Sequence, residues 1–444
     1  MMWRSPRTLL FTCSILDLLG LPLGVALLNV RLHPDLSDRL SVLLIAGLVY
    51  NLFGWLFGSY TLLRLPWLQA RLLLQRLLFT AIATLVALVL LAWWLNISDE
   101  NLVLLKRSVL LELMLWQSIW SLLLRLCLRW LAQRSGPPVW QLIAAPEHQR
   151  QVLREWQRNP FVAPPRPLCP SLTDPSAGVL VPAGSDGVVL GAKLPRDFVQ
   201  TALIAELQAQ GVTVATLEEL AQRQLERLPP ALLPDPWLQY HDLPWSNEFS
   251  LQRNLKRFAD VAIASLLLCA SLPFLLLAAL LIRLEDRGPV LFVQQRSGWL
   301  GRPFSLFKLR TMRPTPTGGV YPWTVPGDYR ITCIGSLLRR SRLDELPQLI
   351  NVIRGEMSLI GPRPEQPDIE ADLERRIPHY RKRHWMLPGM SGWAQVCGPA
   401  YASNIEEAEL KLSYDLYYLR NFSFWLDLLI LAKTIKTLLK VRGR

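Results

Sequence analysis

The sequence lacks the cysteine and histidine patterns that mark disulfide-bonded domains and zinc sites. Its six cysteines include no CxxC pair, and three of them lie in apolar runs. The five histidines form no HExxH motif. Neither a disulfide framework nor a zinc site is therefore expected. A cleavable signal peptide is not expected either, because no small-x-small sequence follows the first apolar run before Arg31.

Long apolar segments are what the sequence has in excess. Hydrophobic residues make up 51% of the chain, the mean hydropathy is +0.23, and the apolar residues are clustered. Four runs each approach the roughly 20 residues that a helix needs to cross a hydrocarbon core. They lie at 8–30, 40–62, 72–95 and 102–124. We therefore predict a four-helix transmembrane unit over residues 1–134.

Basic residues set the expected orientation of this unit. They flank the first run, the second loop and the end of the fourth run, namely Arg4, Arg7, Arg64, Arg71, Arg76, Arg125, Arg129 and Arg134. The loop NISDEN, after the third run, is acidic. The positive-inside rule therefore places both ends of the unit in the cytoplasm. Asp17, within the first run, is either a functional carboxylate or an interhelical hydrogen-bond partner, and we assign it no chemistry.

Residues 135–228 change in character and alternate between strand and helix signals. VWQLIAA and GVVLGA read as strands, and VTVATLEEL reads as a strand, an N-cap at Thr216 and a helix. This pattern predicts a small Rossmann-like α/β middle domain. The turn after its first strand, AAPEHQR, has no glycine to cradle a phosphate, so a structural or regulatory role is favoured over nucleotide binding. A linker over 229–255, rich in proline and tryptophan, follows.

A further apolar run, about residues 261–282, contains Pro273 near its middle. A straight helix would cross the bilayer and carry the strongly basic remainder of the chain outside, against the charge rule. Pro273 removes a backbone donor and kinks a helix, and Ser271 can satisfy a freed carbonyl. We therefore favour a re-entrant helix–break–helix over a fifth span. It would begin a monotopic α+β domain over 256–444.

The basic block after Gly288 surrounds one acidic pair. Lys308 and Arg310 alternate along a predicted strand and so share one face. Further on, Asp344–Glu345 lies between leucines in a segment dense in arginine. Guanidinium groups bind phosphate oxygens, a carboxylate can attack phosphorus, and a carboxylate pair can hold Mg²⁺. The block predicts phosphoryl transfer beside a lipid surface, and the net charge of +13 reflects such a site, cytoplasmic positive bias, or both.

Several motifs in this half of the chain resemble the bacterial sugar transferases, the polyprenyl-phosphate sugar-1-phosphate transferases. They are KLRTM, LDELPQLINVIRGEMSLIGPRP, PGMSGWAQV and YDLYYLRNFSFWLDLLILAKTIKTLL, and the resemblance covers about residues 250–442. The four spans and the middle domain resemble the large members, which start exopolysaccharide or O-antigen units. WAQVCGP departs from the usual WAQVNGR, so Cys397 and Pro399 are expected to alter substrate preference.

The resemblance also implies roles for individual residues. Asp344 would be the nucleophile, with Glu345 as its acidic neighbour, and the two would hold Mg²⁺. The phosphate-binding residues would be Lys308, Arg310, Arg330, Arg339 and Arg363. Asp415 matches a recurrent carboxylate and is a further active-site candidate. Ser271 and Pro273 correspond to the break of the re-entrant helix.

The resemblance implies the reaction and its partners as well. A UDP-sugar would give its sugar-1-phosphate to polyprenyl (undecaprenyl) phosphate, with release of UMP, through an aspartyl phosphosugar or by direct attack of the lipid phosphate. The enzyme would lie in the inner membrane with a cytosolic catalytic domain. No nucleic-acid partner is expected, and the oligomeric state is open, a homodimer included. The alternatives are a non-catalytic membrane scaffold, or another membrane phosphotransferase, whose DxxDGxxAR motif is absent.

The end of the chain predicts a last amphipathic helix over about residues 421–440. Its apolar residues include Phe422, Trp425, Leu428 and Ile435, and lysines lie on other positions. An interfacial helix and a core helix of the catalytic domain both fit this pattern.

Overall fold

The computed structural model describes the ranges 6–27, 36–57, 59–60, 70–94, 107–134, 139–160, 162–168, 181–182, 184–194, 200–235, 237–243, 246, 250–313, 330–399, 402 and 404–439. The chain divides into two compact units, Met1–Leu225 and Glu226–Arg444. The division predicted from the sequence, with boundaries at 134, 228 and 255, is finer than these two units and stays a prediction.

Apolar helices form the amino-terminal part of the first unit. In chain order they are α1 (Pro6–Leu18), α2 (Gly20–Leu27), α3 (Leu36–Phe57), α4 (Ala70–Trp94) and α5 (Arg107–Arg134). The first predicted run is thus divided between two helices, and the fourth continues to Arg134. The loops used for the orientation argument, at 28–35, 61–69 and 95–106, lie outside the described residues.

Two of these helices contain stretches that are long and apolar enough to cross a membrane, judged by length and composition. They are Leu73–Leu91 and Val109–Leu128, whereas Thr12–Leu27 and Val42–Phe57 form shorter apolar helices. Apolar side chains also cover the outside of the bundle, among them Leu44, Leu78, Leu90 and Leu115. Helices that are apolar on every side are typical of membrane spans.

Asp17 lies at the centre of a buried polar network between these helices. Its carboxylate accepts hydrogen bonds from the Tyr60 hydroxyl at 2.8 Å and from Ser121 Oγ at 2.7 Å. Arg125 Nη2 lies 3.0 Å from the same carboxylate, and both side chains are fully buried. The interhelical hydrogen-bond interpretation of Asp17 is therefore confirmed.

The rest of the first unit contains a parallel four-stranded sheet. Its strands are β1 (Trp140–Ile143), β2 (Arg166–Pro167), β3 (Gly187–Leu190) and β4 (Val214–Thr216), in the order β2-β1-β3-β4. Helices α6 (Pro146–Gln157), α7 (Gln200–Ala209) and α8 (Leu217–Gln224) alternate with the strands. The predicted N-cap at Thr216 is confirmed, and Glu219 completes a capping box with it at the start of α8. The fold is α/β here, and its Rossmann-like character stays a prediction.

The second unit combines one long apolar helix with short strands and helices. In chain order its elements are α9 (Leu251–Asp286), β5 (Leu291–Ser297), β6 (Pro303–Leu309), α10 (Cys333–Ser341), α11 (Gln348–Arg354), β7 (Ser358–Ile360), α12 (Pro367–Arg376), β8 (Gly389–Ser391), α13 (Trp393–Cys397), α14 (Ile405–Arg420) and α15 (Phe424–Leu439). Strands β5 and β6 form an antiparallel hairpin, and β7 pairs with β8 in parallel.

Helix α9 runs through Pro273 without an interval of non-helical residues. The expected separation into two helices is therefore absent, and the re-entrant path stays a prediction. Ser271 Oγ donates to the carbonyl of Leu268 at 3.2 Å. The carbonyl that Pro273 leaves without its amide donor is that of Cys269, so the Ser271 hydroxyl bonds a different carbonyl from the one it was expected to cap.

Both halves of α9 pack against strand β6 of the same unit. Before Pro273, Ala264 lies in a buried cluster with Leu306. After Pro273, Ala278 and Ile282 lie in another cluster with Leu309. The rest of the helix presents apolar side chains outward, including Leu266, Leu272, Phe274, Leu276, Leu277 and Leu280. Helix α9 thus has one face on the rest of the second unit and one exposed apolar face, and its stretch Leu251–Glu285 is long enough to span a bilayer.

Close backbone contacts at glycines hold β7 and β8 together. A Cβ on Gly361, Gly389 or Gly392 would overlap backbone atoms of the neighbouring segment. The amide of Gly361 donates to the Ser391 carbonyl, and the amide of Gly389 donates to the Pro362 carbonyl, both at 2.8 Å. The glycines of the IGPRP and PGMSG sequences therefore place the segment that begins the PRP motif.

The last helix, α15, has one buried and one exposed apolar side. Leu426 and Ile430 are buried, whereas Phe424, Leu428 and Ile435 are exposed. The prediction of a core helix is confirmed for the buried side, which carries Leu426 and Ile430. The interfacial interpretation stays a prediction for the exposed side, and the side chain of Trp425 lies outside the described residues.

Candidate active site

The acidic pair lies in a single 3₁₀ turn between α10 and α11. Arg342 ends α10 in the left-handed region, with φ at 59°, and the turn Leu343–Glu345 follows directly. Pro347 then precedes the first residue of α11. This reversal brings Asp344 and Glu345 to the point where two helix ends meet the β5–β6 hairpin.

Glu345 is held by two cations that the sequence predicts for the site. Its Oε1 lies 3.3 Å from Lys308 Nζ and 2.5 Å from Arg363 Nη2. Burial alone would raise the pKa of Glu345, but the charges of Arg363 and Lys308 outweigh it and hold that pKa well below its ordinary range. Burial lowers the pKa of Lys308. Glu345 is therefore an ionised carboxylate with fixed partners.

Asp344 differs from its neighbour in both contacts and charge. Its side chain is nearly buried, at 9% exposure, and Oδ1 has no hydrogen-bond partner among the described residues. Burial, followed by the adjacent Glu345 carboxylate, raises the pKa of Asp344 to about 6, and Lys308 and Arg339 oppose the rise. Adjacent carboxyl groups whose pKa values are pushed apart are typical of a division of chemical roles.

Helix α10 brings Arg339 close to this pair. A Cβ on Gly335 would overlap the Thr311 carbonyl, so the helix lies directly on that segment. Arg339 Nε donates to Thr311 Oγ1 at 2.9 Å. Arg342 also lowers the pKa of both carboxyl groups, although the sequence motifs indicate no role for it.

Arg310 and Arg330 are the two remaining residues that the family resemblance predicts to bind phosphate. Arg310 is buried just after β6, where a Cβ on Gly288 would overlap its guanidinium group. The Arg330 carbonyl accepts from the Arg313 amide at 2.9 Å. The structure thus gathers Lys308, Arg339 and Arg363 around the acidic pair, and the roles of Arg310 and Arg330 stay predictions.

Asp415 belongs to a buried network behind the PRP motif. Its carboxylate pairs with Arg383 Nη2 at 3.0 Å, and both side chains are almost fully buried. The same guanidinium donates to the Arg363 carbonyl at 2.9 Å and to the Tyr380 hydroxyl at 2.8 Å. The described contacts of Asp415 therefore lead to the backbone of Arg363, and they do not include the Asp344–Glu345 pair.

A recess opens beside Lys308 and Arg363. Its walls are formed by Arg296, Leu306, Lys308, Gln348, Arg363 and Pro364. Neither Arg296 nor Gln348 was predicted as a site residue from the sequence. A signal for Gln348 was present, because it follows Asp344 by four residues, which is about one helical turn.

The pair can contribute oxygen ligands to a divalent cation. The described residues contain no cluster of three or more His, Cys, Asp or Glu side chains that could hold a metal. Asp344 Oδ1 is a buried oxygen without a partner in that part of the chain. Mg²⁺ commonly takes one or two protein carboxylates and completes its shell with water and substrate phosphate. The residues therefore fit Mg²⁺ bound together with a diphosphate.

Comparison with known proteins defines the class of this site. The family model described as "Bacterial sugar transferase" matches residues 251–441. Over 189 residues the chain is 42% identical to "Exopolysaccharide production protein PSS" of Rhizobium leguminosarum, covering 41% of this chain and 93% of the relative. The chain belongs to the bacterial sugar transferase family.

Two further relatives carry more specific names. The "UDP-N-acetylgalactosamine-undecaprenyl-phosphate N-acetylgalactosaminephosphotransferase" of Aeromonas hydrophila is 44% identical over 185 residues, which cover 42% of this chain and 44% of the relative. The "UDP-glucose:undecaprenyl-phosphate glucose-1-phosphate transferase" of Caulobacter vibrioides is 43% identical over 185 residues, which cover 41% of this chain and 69% of the relative. The chain thus spans about half the length of the first of these relatives.

Proposed function

We propose that this protein transfers a sugar-1-phosphate from a UDP-hexose to polyprenyl phosphate in the first membrane step of exopolysaccharide or O-antigen synthesis. The observation that carries the proposal is a buried, unpartnered Asp344 oxygen next to a Glu345 fixed by Lys308 and Arg363. The names of the Aeromonas and Caulobacter relatives supply the substrate class. Their sugars differ, so the proposal extends to the hexose class.

The chemistry proceeds in two displacements at phosphorus. An Asp344 carboxylate oxygen attacks the sugar-bearing phosphorus, and the bond between that phosphorus and the bridging oxygen breaks. The electron pair leaves with UMP, and an aspartyl phosphosugar remains. A phosphate oxygen of the polyprenyl phosphate then attacks the same phosphorus, and the aspartate carboxylate is released. Lys308, Arg339 and Arg363 stabilise the developing negative charge throughout.

Asp344 and Glu345 are the residues that would hold Mg²⁺ during this reaction. The metal would supply neutralisation of the diphosphate charge. Glu345, fixed by Lys308 and Arg363, would remain positioned as a ligand of the metal, while Asp344 presents its free oxygen to phosphorus.

We propose that α9 enters and leaves the bilayer on the cytosolic side of the inner membrane. Arg257 near its start donates to the Ile353 carbonyl at 2.8 Å, and Glu285 near its end accepts from the Cys333 amide at 2.9 Å. A straight helix would separate these two residues by about 42 Å, more than the ~30 Å hydrocarbon core. Contacts of both ends with one polar unit support a path that returns to its starting face.

Cysteine labelling from one side of the membrane tests this path. Single cysteines at Arg253 and Arg287, in a background without native cysteines, are expected to react with an impermeant reagent from the cytosolic face only. A single cysteine at Glu147, in the predicted middle domain of the first unit, gives the cytosolic reference under the same conditions. Reaction of the two α9 positions from opposite faces would show a crossing helix and contradict the proposal.

The transfer itself is tested with the full-length protein in membranes. We expect UMP release and a radiolabelled lipid product when polyprenyl phosphate is supplied with UDP-glucose or UDP-N-acetylgalactosamine. If no common UDP-sugar yields UMP, the scaffold alternative is favoured.

The raised pKa of Asp344 predicts a pH profile for the first displacement. The nucleophile is the carboxylate, so the rate of UMP release without lipid acceptor should fall about tenfold per pH unit below about pH 6. Glu345→Gln removes the like charge that raises the pKa of Asp344, so the acidic limb should move to lower pH in that variant. A profile that is flat from pH 5 to 8 in the wild type would contradict Asp344 as the nucleophile.

A further inference from the structure

The recess beside the acidic pair contains a buried donor that no contact within the described residues explains. Gln348 is only 3% exposed, and its Nε2 has no hydrogen-bond partner in this part of the chain. A buried amide donor without an acceptor is costly and rare in native structures. Because Gln348 also lines the recess, a ligand in the recess is the natural acceptor.

The other polar side chains that line the recess indicate which class of ligand it would bind. Lys308 and Arg363 contribute cationic donors, and both already pair with Glu345. Arg296 adds a guanidinium group whose Nε is buried without a partner among the described residues, while Nη2 donates to Gln294 at 2.7 Å. Donors outnumber acceptors around this space, which favours phosphoryl oxygens.

We propose that Gln348 is a substrate-contacting residue whose side-chain amide donates to a phosphoryl oxygen of the donor diphosphate. The position follows from the fold, since Gln348 is the first residue of α11 and lies one turn after the proposed nucleophile. Its hydrogen bond would hold the diphosphate against Lys308 and Arg363 and leave Asp344 facing the sugar-bearing phosphorus. This inference rests on the proposed function for the identification of the donor as a UDP-sugar. That the recess binds a diphosphate is argued from its lining residues alone.

Equilibrium binding to the full-length protein tests the proposal. For inorganic pyrophosphate the parent is the wild-type chain with Mg²⁺ present, and for UDP-glucose the parent carries Asp344→Asn to prevent turnover. Both probes are measured by isothermal titration calorimetry. Gln348→Met keeps the side-chain length and removes the donor, so both probes should bind about tenfold more weakly or worse. Gln348→Glu keeps the shape and adds a like charge, so the loss should be larger.

Gln295→Met is the matched control. Gln295 is exposed on β5, and its amide donates to Ser305 Oγ at 3.0 Å, outside the recess walls. Affinities in this variant should stay within twofold of the parent. Thermal unfolding of each variant identifies misfolded protein, and where Gln348→Met unfolds, Gln348→Glu carries the comparison.

The outcomes separate this proposal from the proposed function. Pyrophosphate binding that depends on Gln348 supports the residue's role even if no UDP-sugar yields UMP. Pyrophosphate affinities within twofold in all variants, or no binding to the parent, would overturn it. A loss seen only with polyprenyl phosphate in vesicles would also overturn it, because it would assign Gln348 to the lipid acceptor.

Discussion

Asp344→Asn is expected to lower the rate of UMP release by at least about 10³-fold, because an amide cannot form the aspartyl phosphosugar. In the wild type, brief incubation with a UDP-sugar labelled in the sugar, without lipid acceptor, should leave radiolabel on the protein. That label should be absent from the variant. The measurement is the rate of UMP release together with protein-bound label after rapid denaturation.

A matched carboxylate substitution controls this experiment. Asp372 lies on α12, is exposed, and pairs with Arg376 at 3.1 Å, so Asp372→Asn should retain wild-type turnover. Full turnover by Asp344→Asn would exclude both a nucleophilic and a metal-binding role. Loss of turnover without any labelled protein in the wild type would favour direct attack by the lipid phosphate, with Asp344 serving the metal.

Arg383→Met is expected to destabilise the second unit by about 3–5 kcal/mol, because it leaves buried carboxylates without their cation. Arg383 is 3% exposed and pairs with Asp415 at 3.0 Å and with Glu370 at 3.6 Å. Burial alone would lower the pKa of Arg383, but the surrounding Tyr380, Asp415 and Glu365 raise it above its ordinary value. The transition midpoint in thermal unfolding should fall by roughly 10 °C.

Activity should fall as well, because the Arg383 guanidinium holds the carbonyl of Arg363 at 2.9 Å. The control is Arg381→Met, since Arg381 lies in the same short segment and is 76% exposed. Asp415→Asn keeps the shape and should be milder than Arg383→Met, with a raised KM for the UDP-sugar. Wild-type stability and activity in Arg383→Met would show that this network does not support the site.

The elements that sequence patterns predict well are those with strong local signals. The N-cap at Thr216 and the strand–helix alternation around it follow from neighbouring residues alone. The strand that carries Lys308 and the last helix are also predicted, because their apolar patterns are local. The division of the first apolar run into α1 and α2 was missed, since hydropathy measures length and not the path of the backbone.

The candidate site was predicted in its residues but only partly in its arrangement. Asp344, Glu345, Lys308 and Arg363 come together as expected, because the motifs that carry them resemble a known family. Asp415 was expected near the chemistry, yet its contacts lead through Arg383 to the PRP backbone. A recurrent carboxylate in a sequence does not show whether it contacts substrate or supports a residue that does.

The sequence by itself determined the apolar runs, the basic block, the acidic pair and the family, because each depends on residue identity and local spacing. Only the tertiary structure decided that Glu345 is the ionised carboxylate paired with two cations and that Asp344 has an oxygen without a partner among the described residues. It also decided that Gln348 faces the recess. Those distinctions depend on burial and on distances between residues far apart in the chain, such as Lys308 and Glu345, which no local pattern encodes.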